Sequence, residues 1–183
     1  MDKKTLIAIA LLILLGGGWY FFNNKENKNL NDINVNINPL NTTYRIENEK
    51  FTLINGKAEK EISPEFASKN TVTAFGQPSF GDIDEDGDED AVLILVNNQG
   101  GSGTFYYATM AVNIDGQYKG TDSILLGDRI APQTYYIINN KAIVNYADRL
   151  PNESFNIRPS QGRSLYLEYN PKNLNLIISD PEN

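Results

Sequence analysis

Beyond residue 44, short runs of β-patterned residues alternate with dipeptides suited to tight turns, and this spacing constrains the fold more than any other feature. Asn55-Gly56 separates residues 51–54 from 57–62, Asp115-Gly116 separates 105–114 from 118–126, and Asn139-Asn140 separates 134–138 from 141–146. Asn, Asp and Gly tolerate the positive φ of the two-residue type I′ turn, so each pair predicts an antiparallel hairpin. Residues 163–169 and 174–178 flank Asn170-Pro171-Lys172-Asn173 in the same way. Residues 71–75 add another strand, and 91–96 form a continuous apolar run short enough for a strand buried on both faces. Past residue 22 no stretch keeps a 3.6-residue apolar period, although 64–70 has room for one helical turn. These signals predict an all-β, predominantly antiparallel domain over residues 44–183, either a sandwich or an open barrel, with about 140 residues sufficient for one core.

The N-terminus predicts a different environment. After Met1-Asp2-Lys3-Lys4, residues 5–22 are uncharged and carry eight Leu or Ile. As a helix they would rise ~27 Å, about one hydrocarbon core. The run closes on Trp19-Tyr20-Phe21-Phe22, side chains suited to the membrane interface. Residues 1–22 therefore read as a signal anchor, a single-pass transmembrane helix. The alternative is a signal peptide cleaved near Gly16 or Gly18, which would leave a secreted protein, but no Ala-x-Ala site is present and the apolar run continues past these glycines. Lys3 and Lys4 with the amino terminus precede the span and Lys25 and Lys28 follow it. This balance, with a four-residue head, places residues 23 onward on the extracytoplasmic side of the cell membrane. Residues 23–43 read as an Asn-rich spacer, since nine of the nineteen residues from 23 to 41 are Asn. Within it Ile33, Val35 and Ile37 alternate with Asn in the period of a half-buried strand, ended by Pro39.

Composition narrows the chemistry. The 183 residues include no His and no Cys. That excludes zinc sites of the usual N/S type, thiolate nucleophiles, iron–sulfur clusters, disulfides, lipid-acylated cysteine and the Ser-His-Asp triad. With 16 basic against 23 acidic residues the chain also lacks the clustered positive charge that carries nucleic-acid affinity. A metal bound here is a hard cation on oxygen ligands.

The acidic excess has one address. Residues 82–90 hold Asp82, Asp84, Glu85, Asp86, Asp88, Glu89 and Asp90, and setting these seven aside leaves 16 acidic against 16 basic residues. From Gly81 the segment reads G-D-x-D-x-D-G-x-x-D. Carboxylates at alternate positions converge on one cation when the backbone turns sharply, which Gly87 permits. Asp82, Asp84 and Asp86 would offer side-chain oxygens to a calcium ion (Ca2+), Asp88 its backbone carbonyl, and Asp90 a carboxylate or a water-mediated contact. An EF-hand needs a bidentate Glu at the twelfth loop position, where this chain has Leu93. Without a cation, each close carboxylate pair costs up to ~1 kcal/mol even in water.

The segment from Gly81 to Asp90 resembles the calcium loops of FG-GAP and VCBS-type β-repeats, and that resemblance implies a calcium site next to a strand in an extracellular domain. Those motifs recur in β-propellers, whereas this chain has one copy and too few residues for a ring of blades. The wider pattern, carried by residues 80–90, 100–107, 126–133 and 145–149, is similar to a group of small anchored or secreted bacterial proteins. It implies a cell-envelope location and brings no activity with it.

Three further features invite functional readings. Gly100-Gly101-Ser102-Gly103-Thr104 lacks the Gly-Lys-Ser/Thr of a phosphate loop and precedes a strand, so it reads as a hairpin loop. Asp128-Arg129 and Asp148-Arg149 each end a strand before a turn, where Asp forms turns and Arg pairs with it. The aromatics Phe105, Tyr106, Tyr107, Tyr135, Tyr136, Tyr166 and Tyr169 divide between core and surface, because neighbours on a strand face opposite ways. The expected function is a non-catalytic binding or interaction module of the envelope, with a protein or glycan partner. The alternative is a hydrolase of envelope glycans using Asp128, Asp148 or Glu153 as acid or base.

Overall fold

A computed structural model describes residues 37–63 and 68–181. The apolar run 5–22, all of the 33–37 pattern but Ile37, and residues 64–67 of the segment with room for a helical turn lie outside them. Among the described residues no helix is long and apolar enough to cross a membrane.

The described chain is all-β and antiparallel. A 3-10 turn at Pro39–Asn41 leads into β1 (Thr43–Ile46), β2 (Glu49–Thr52), β3 (Lys57–Glu61), β4 (Lys69–Gly81), β5 (Asp90–Asn98) and β6 (Phe105–Ile114). Then come β7 (Gln117–Gly120), β8 (Ile124–Asp128), β9 (Ala131–Ile138), β10 (Lys141–Asp148), β11 (Gln161–Asn170) and β12 (Asn175–Ser179). A six-stranded sheet runs β3-β4-β5-β6-β7, with β8 also paired to β6; β12-β11-β10-β9 form a second sheet and β1-β2 a third.

The turn pairs behave as their chemistry predicts. Asn55 and Gly56 have φ of 51° and 79°, Asp115 and Gly116 55° and 78°, and Asn139 and Asn140 49° and 57°, so each pair is left-handed at both positions. The first hairpin nonetheless ends after one residue pair, in which Ile54 and Lys57 exchange N–H···O bonds of 2.8 and 3.2 Å. Beyond it β2 pairs with β1, and β3 with β4. Burial explains the parting: Phe51 and Leu53 are withdrawn into the core with β1, whereas β3 carries charged, exposed Lys57, Glu59, Lys60 and Glu61, a composition suited to a sheet edge. The single strand expected over 118–126 is broken into β7 and β8, which pair with successive stretches of β6.

Two cores share the central sheet. Val92 and Ile94 of β5 and Ala108, Met110 and Val112 of β6 pack against Ala142, Val144, Leu167 and Leu176 of the four-stranded sheet. On the opposite face Ala91, Leu93 and Leu95, with Tyr107 and Ala111, pack against Tyr44, Ile46, Phe51 and Leu53. The run 91–96 is thus a strand covered on both sides, and the layering is that of stacked sheets. Residues 39–43 fall inside the stretch read as spacer, yet they belong to this domain. Pro39 and Thr42 are buried, Gly56 N–H donates to the Leu40 carbonyl at 2.7 Å, and the Tyr44 hydroxyl donates to the Pro39 carbonyl at 2.6 Å.

Candidate metal centre

The acidic segment joins two antiparallel neighbours, β4 and β5, whose last register pair is Gly81 with Asp90. It therefore leaves and re-enters the sheet at one point, and its charged residues must fold back on themselves outside the ladder. Ile83 is the exception. Its side chain is buried among Val92, Ile94 and Ile130 and pins the loop to the core.

The Asp82 carboxylate organises the turn. Its Oδ1 accepts the Glu85 N–H at 2.7 Å and its Oδ2 the Gly87 N–H at 3.0 Å, while Asp86 Oδ1 accepts the Asp88 N–H at 2.8 Å. Glu85 and Gly87 take φ of 63° and 91°, and nothing lies within 4 Å of where a Cβ on Gly87 would sit, so Gly is required there by the backbone angle and not by space. Folded this way, one carboxylate oxygen from each of Asp82, Asp84 and Asp86 comes within 4.8 Å of the others. All three residues are exposed. The group can hold a metal ion, because its oxygens are close together and open to solvent. Partial desolvation within the loop, then the neighbouring Asp86 and Asp82 charges, push the Asp84 carboxyl above the usual carboxylate range.

Asp90 has a different setting. It is fully buried, its Oδ2 accepts the Ile83 N–H and its Oδ1 the Asn113 N–H, both at 2.8 Å. It ties the start of the acidic loop to the end of β6. Burial pushes its carboxyl up to about 6 despite these two hydrogen bonds, and the Asp84 and Asp86 charges add to the rise. Two tyrosines that the motif does not contain complete the surroundings. The Tyr118 hydroxyl donates to the Glu89 carbonyl at 2.9 Å. The Tyr169 hydroxyl is raised by burial first and then by the charges of Asp84 and Asp90. Nothing local in the sequence links either tyrosine to the loop; strand order does.

The carboxylates considered for catalysis also come together. Asp128, Asp148 and Glu153 line one cavity of about 330 Å³. Asp128 is held in a two-pronged pair with Arg129, at 3.1 Å from Nε and 2.8 Å from Nη2, and also accepts the Thr104 N–H at 2.8 Å. The Arg129 pair keeps its carboxyl below the usual carboxylate range, which is the wrong state for a general acid. Gly100-Gly101-Ser102-Gly103 forms the β5–β6 hairpin loop. The adjacent tyrosines divide as strand geometry requires: Tyr106 packs toward the four-stranded sheet, and Tyr107 is buried on the other face, donating to Glu47 Oε1 at 3.0 Å.

Compared with family models, curated proteins and solved structures, the chain finds no match in any of the three.

Proposed function

We propose that this chain is a membrane-tethered, extracytoplasmic β domain stabilised by calcium at a loop of the FG-GAP or VCBS type, and that it acts as a binding module of the cell envelope without catalysis of its own. The observation that carries the reading is the Asp82, Asp84 and Asp86 cluster, whose oxygens sit within 4.8 Å of one another on a loop pinned to the core by Ile83. An oxygen-only site of this kind suits a hard cation, and calcium accepts its irregular geometry more readily than magnesium does. The tether rests on the apolar run 5–22 with its aromatic end. The absence of catalysis is supported by Asp128, which an arginine holds ionised.

Extracellular calcium modules bind at ~10⁻⁴ to 10⁻³ M, so such a site fills outside the cell. At about 10 mM calcium, binding of this strength adds ~1.4–2.7 kcal/mol to the folded state. The test is a thermal melt of the full chain in calcium and in EDTA. Calcium raises Tm by several degrees, and Asp84→Ala with Asp86→Ala abolishes the rise. An identical Tm in calcium and EDTA would overturn the reading.

A further inference from the structure

We propose that the cavity beside the β10–β11 connection binds a neutral saccharide. This names a ligand class for the binding-module reading and rests on that reading, but it does not depend on the calcium loop.

The cavity is built, not incidental. Arg149 donates to three carbonyls, those of Ile157 at 2.6 Å, Arg129 at 2.8 Å and Phe155 at 3.4 Å, and so fixes the connection against the end of β8. The Ser160 N–H closes the connection onto the Asp148 carbonyl at 2.9 Å. Arg129, paired with Asp128, lies 3.7 Å from the Phe155 ring centroid and Arg149 5.4 Å from it, while about half of Phe155 stays exposed. Strong interactions thus keep an aromatic ring at the surface of a 330 Å³ hollow, at the small end of the usual range for ligand sites.

The polar groups left over define the ligand. Asp148 spends Oδ1 on the Arg149 N–H at 2.7 Å, and Glu153 spends Oε2 on the Leu150 N–H at 3.0 Å. Their second oxygens are unused, and Arg163 on the same wall has no ion pair among the described residues. Two acceptors, one guanidinium donor and a ring therefore face one hollow. The lining holds Asp128, Asp148 and Glu153 against Arg149 and Arg163, and Arg129, which is outside it, neutralises Asp128, so the charges around the hollow balance. Neither a polyanion nor a cation gains net attraction there. A sugar suits it: hydroxyls both donate and accept, and the C–H face of the ring packs on an aromatic side chain.

The test is titration calorimetry of the full chain in EDTA, so that an empty calcium loop cannot supply the signal. The probes are neutral oligomers of N-acetylglucosamine and of α- and β-linked glucose, with polyglutamate, polylysine and a neutral peptide as comparisons. At least one neutral saccharide binds at about millimolar Kd. Arg163→Gln and Glu153→Gln each weaken that binding about tenfold, as expected for one hydrogen bond to a charged group. Arg163 is exposed and Glu153 half-buried, and an unchanged Tm shows that the variants fold. The proposal is overturned if no neutral saccharide binds at ~10 mM, if the variants bind as the parent does, or if a charged polymer or the peptide binds in preference. Failure here with calcium stabilisation intact would remove the saccharide site alone.

Discussion

Asp90→Ala, measured in EDTA, isolates what the buried end of the acidic loop does for the fold apart from any metal. The substitution removes the acceptors of a buried N–H, that of Ile83, and a half-buried one, that of Asn113, each held at 2.8 Å. A buried donor left without a partner costs ~1–3 kcal/mol, so the two together cost ~2–6 kcal/mol. Removing a carboxylate that burial already disfavours offsets part of this, and a net loss of about 3 kcal/mol remains. For a domain whose total stability is of order 5–15 kcal/mol this is a large fraction.

Urea unfolding followed by tyrosine fluorescence reads the loss directly. With a slope of about 1.5 kcal/mol/M, a 3 kcal/mol loss lowers the midpoint by about 2 M. Asp90→Asn sharpens the comparison. Its amide oxygen still serves one N–H while its NH₂ faces the other, so it falls between the parent and the alanine variant at ~1–3 kcal/mol. Asp88→Ala, an exposed residue of the same loop, moves the midpoint little in EDTA. An unfolding free energy for Asp90→Ala within about 0.5 kcal/mol of the parent's, or equal to that of Asp88→Ala, would refute the reasoning.

Two other outcomes follow from the same geometry. An acid whose folded pKa of about 6 exceeds its unfolded value binds its proton more tightly when folded, so in EDTA stability rises as pH falls from about 6 toward 4. In millimolar calcium the slope reverses, because the cation needs ionised carboxylates; urea midpoints at several pH values check both, and a midpoint that falls on acidification in EDTA would sink the assignment. Arg149→Met keeps the aliphatic stem but strips three carbonyls of their donor, costing about 1.5–3 kcal/mol and loosening the β10–β11 connection. Limited chymotrypsin digestion then cuts faster after the exposed Phe155, and equal cutting rates would show that Arg149 does not brace the connection.

What was legible in the sequence was whatever a few adjacent residues decide alone. Asn55-Gly56, Asp115-Gly116 and Asn139-Asn140 need only their own φ angles to make a turn, and each makes one. The run at 91–96 needed only its unbroken apolarity to announce a strand covered on both faces, and Val92 and Leu93 lie in different cores. The convergence of Asp82, Asp84 and Asp86 is legible for the same reason, since the Asp82 carboxylate and Gly87 shape the loop within six residues.

What was not legible depends on partners brought in by strand order. Nothing between residues 51 and 62 shows that β2 must leave β3, because the deciding contacts of Phe51 and Leu53 are with β1 and the central sheet. Asp90 sits at a ligand position of its motif, but its setting is decided by the Asn113 N–H on β6, a group 23 residues away that the motif does not contain. Asp128 and Asp148 look alike in sequence, each followed by Arg, and the fold makes them different. Arg129 turns back onto Asp128, whereas the Arg149 guanidinium reaches forward to the 155–157 backbone and leaves Asp148 with an unused oxygen. The difference comes from where the second arginine's carbonyl partners lie. A dipeptide can specify a turn, but only the packed connection above it determines whether its carboxylate is consumed by the structure or left facing a cavity.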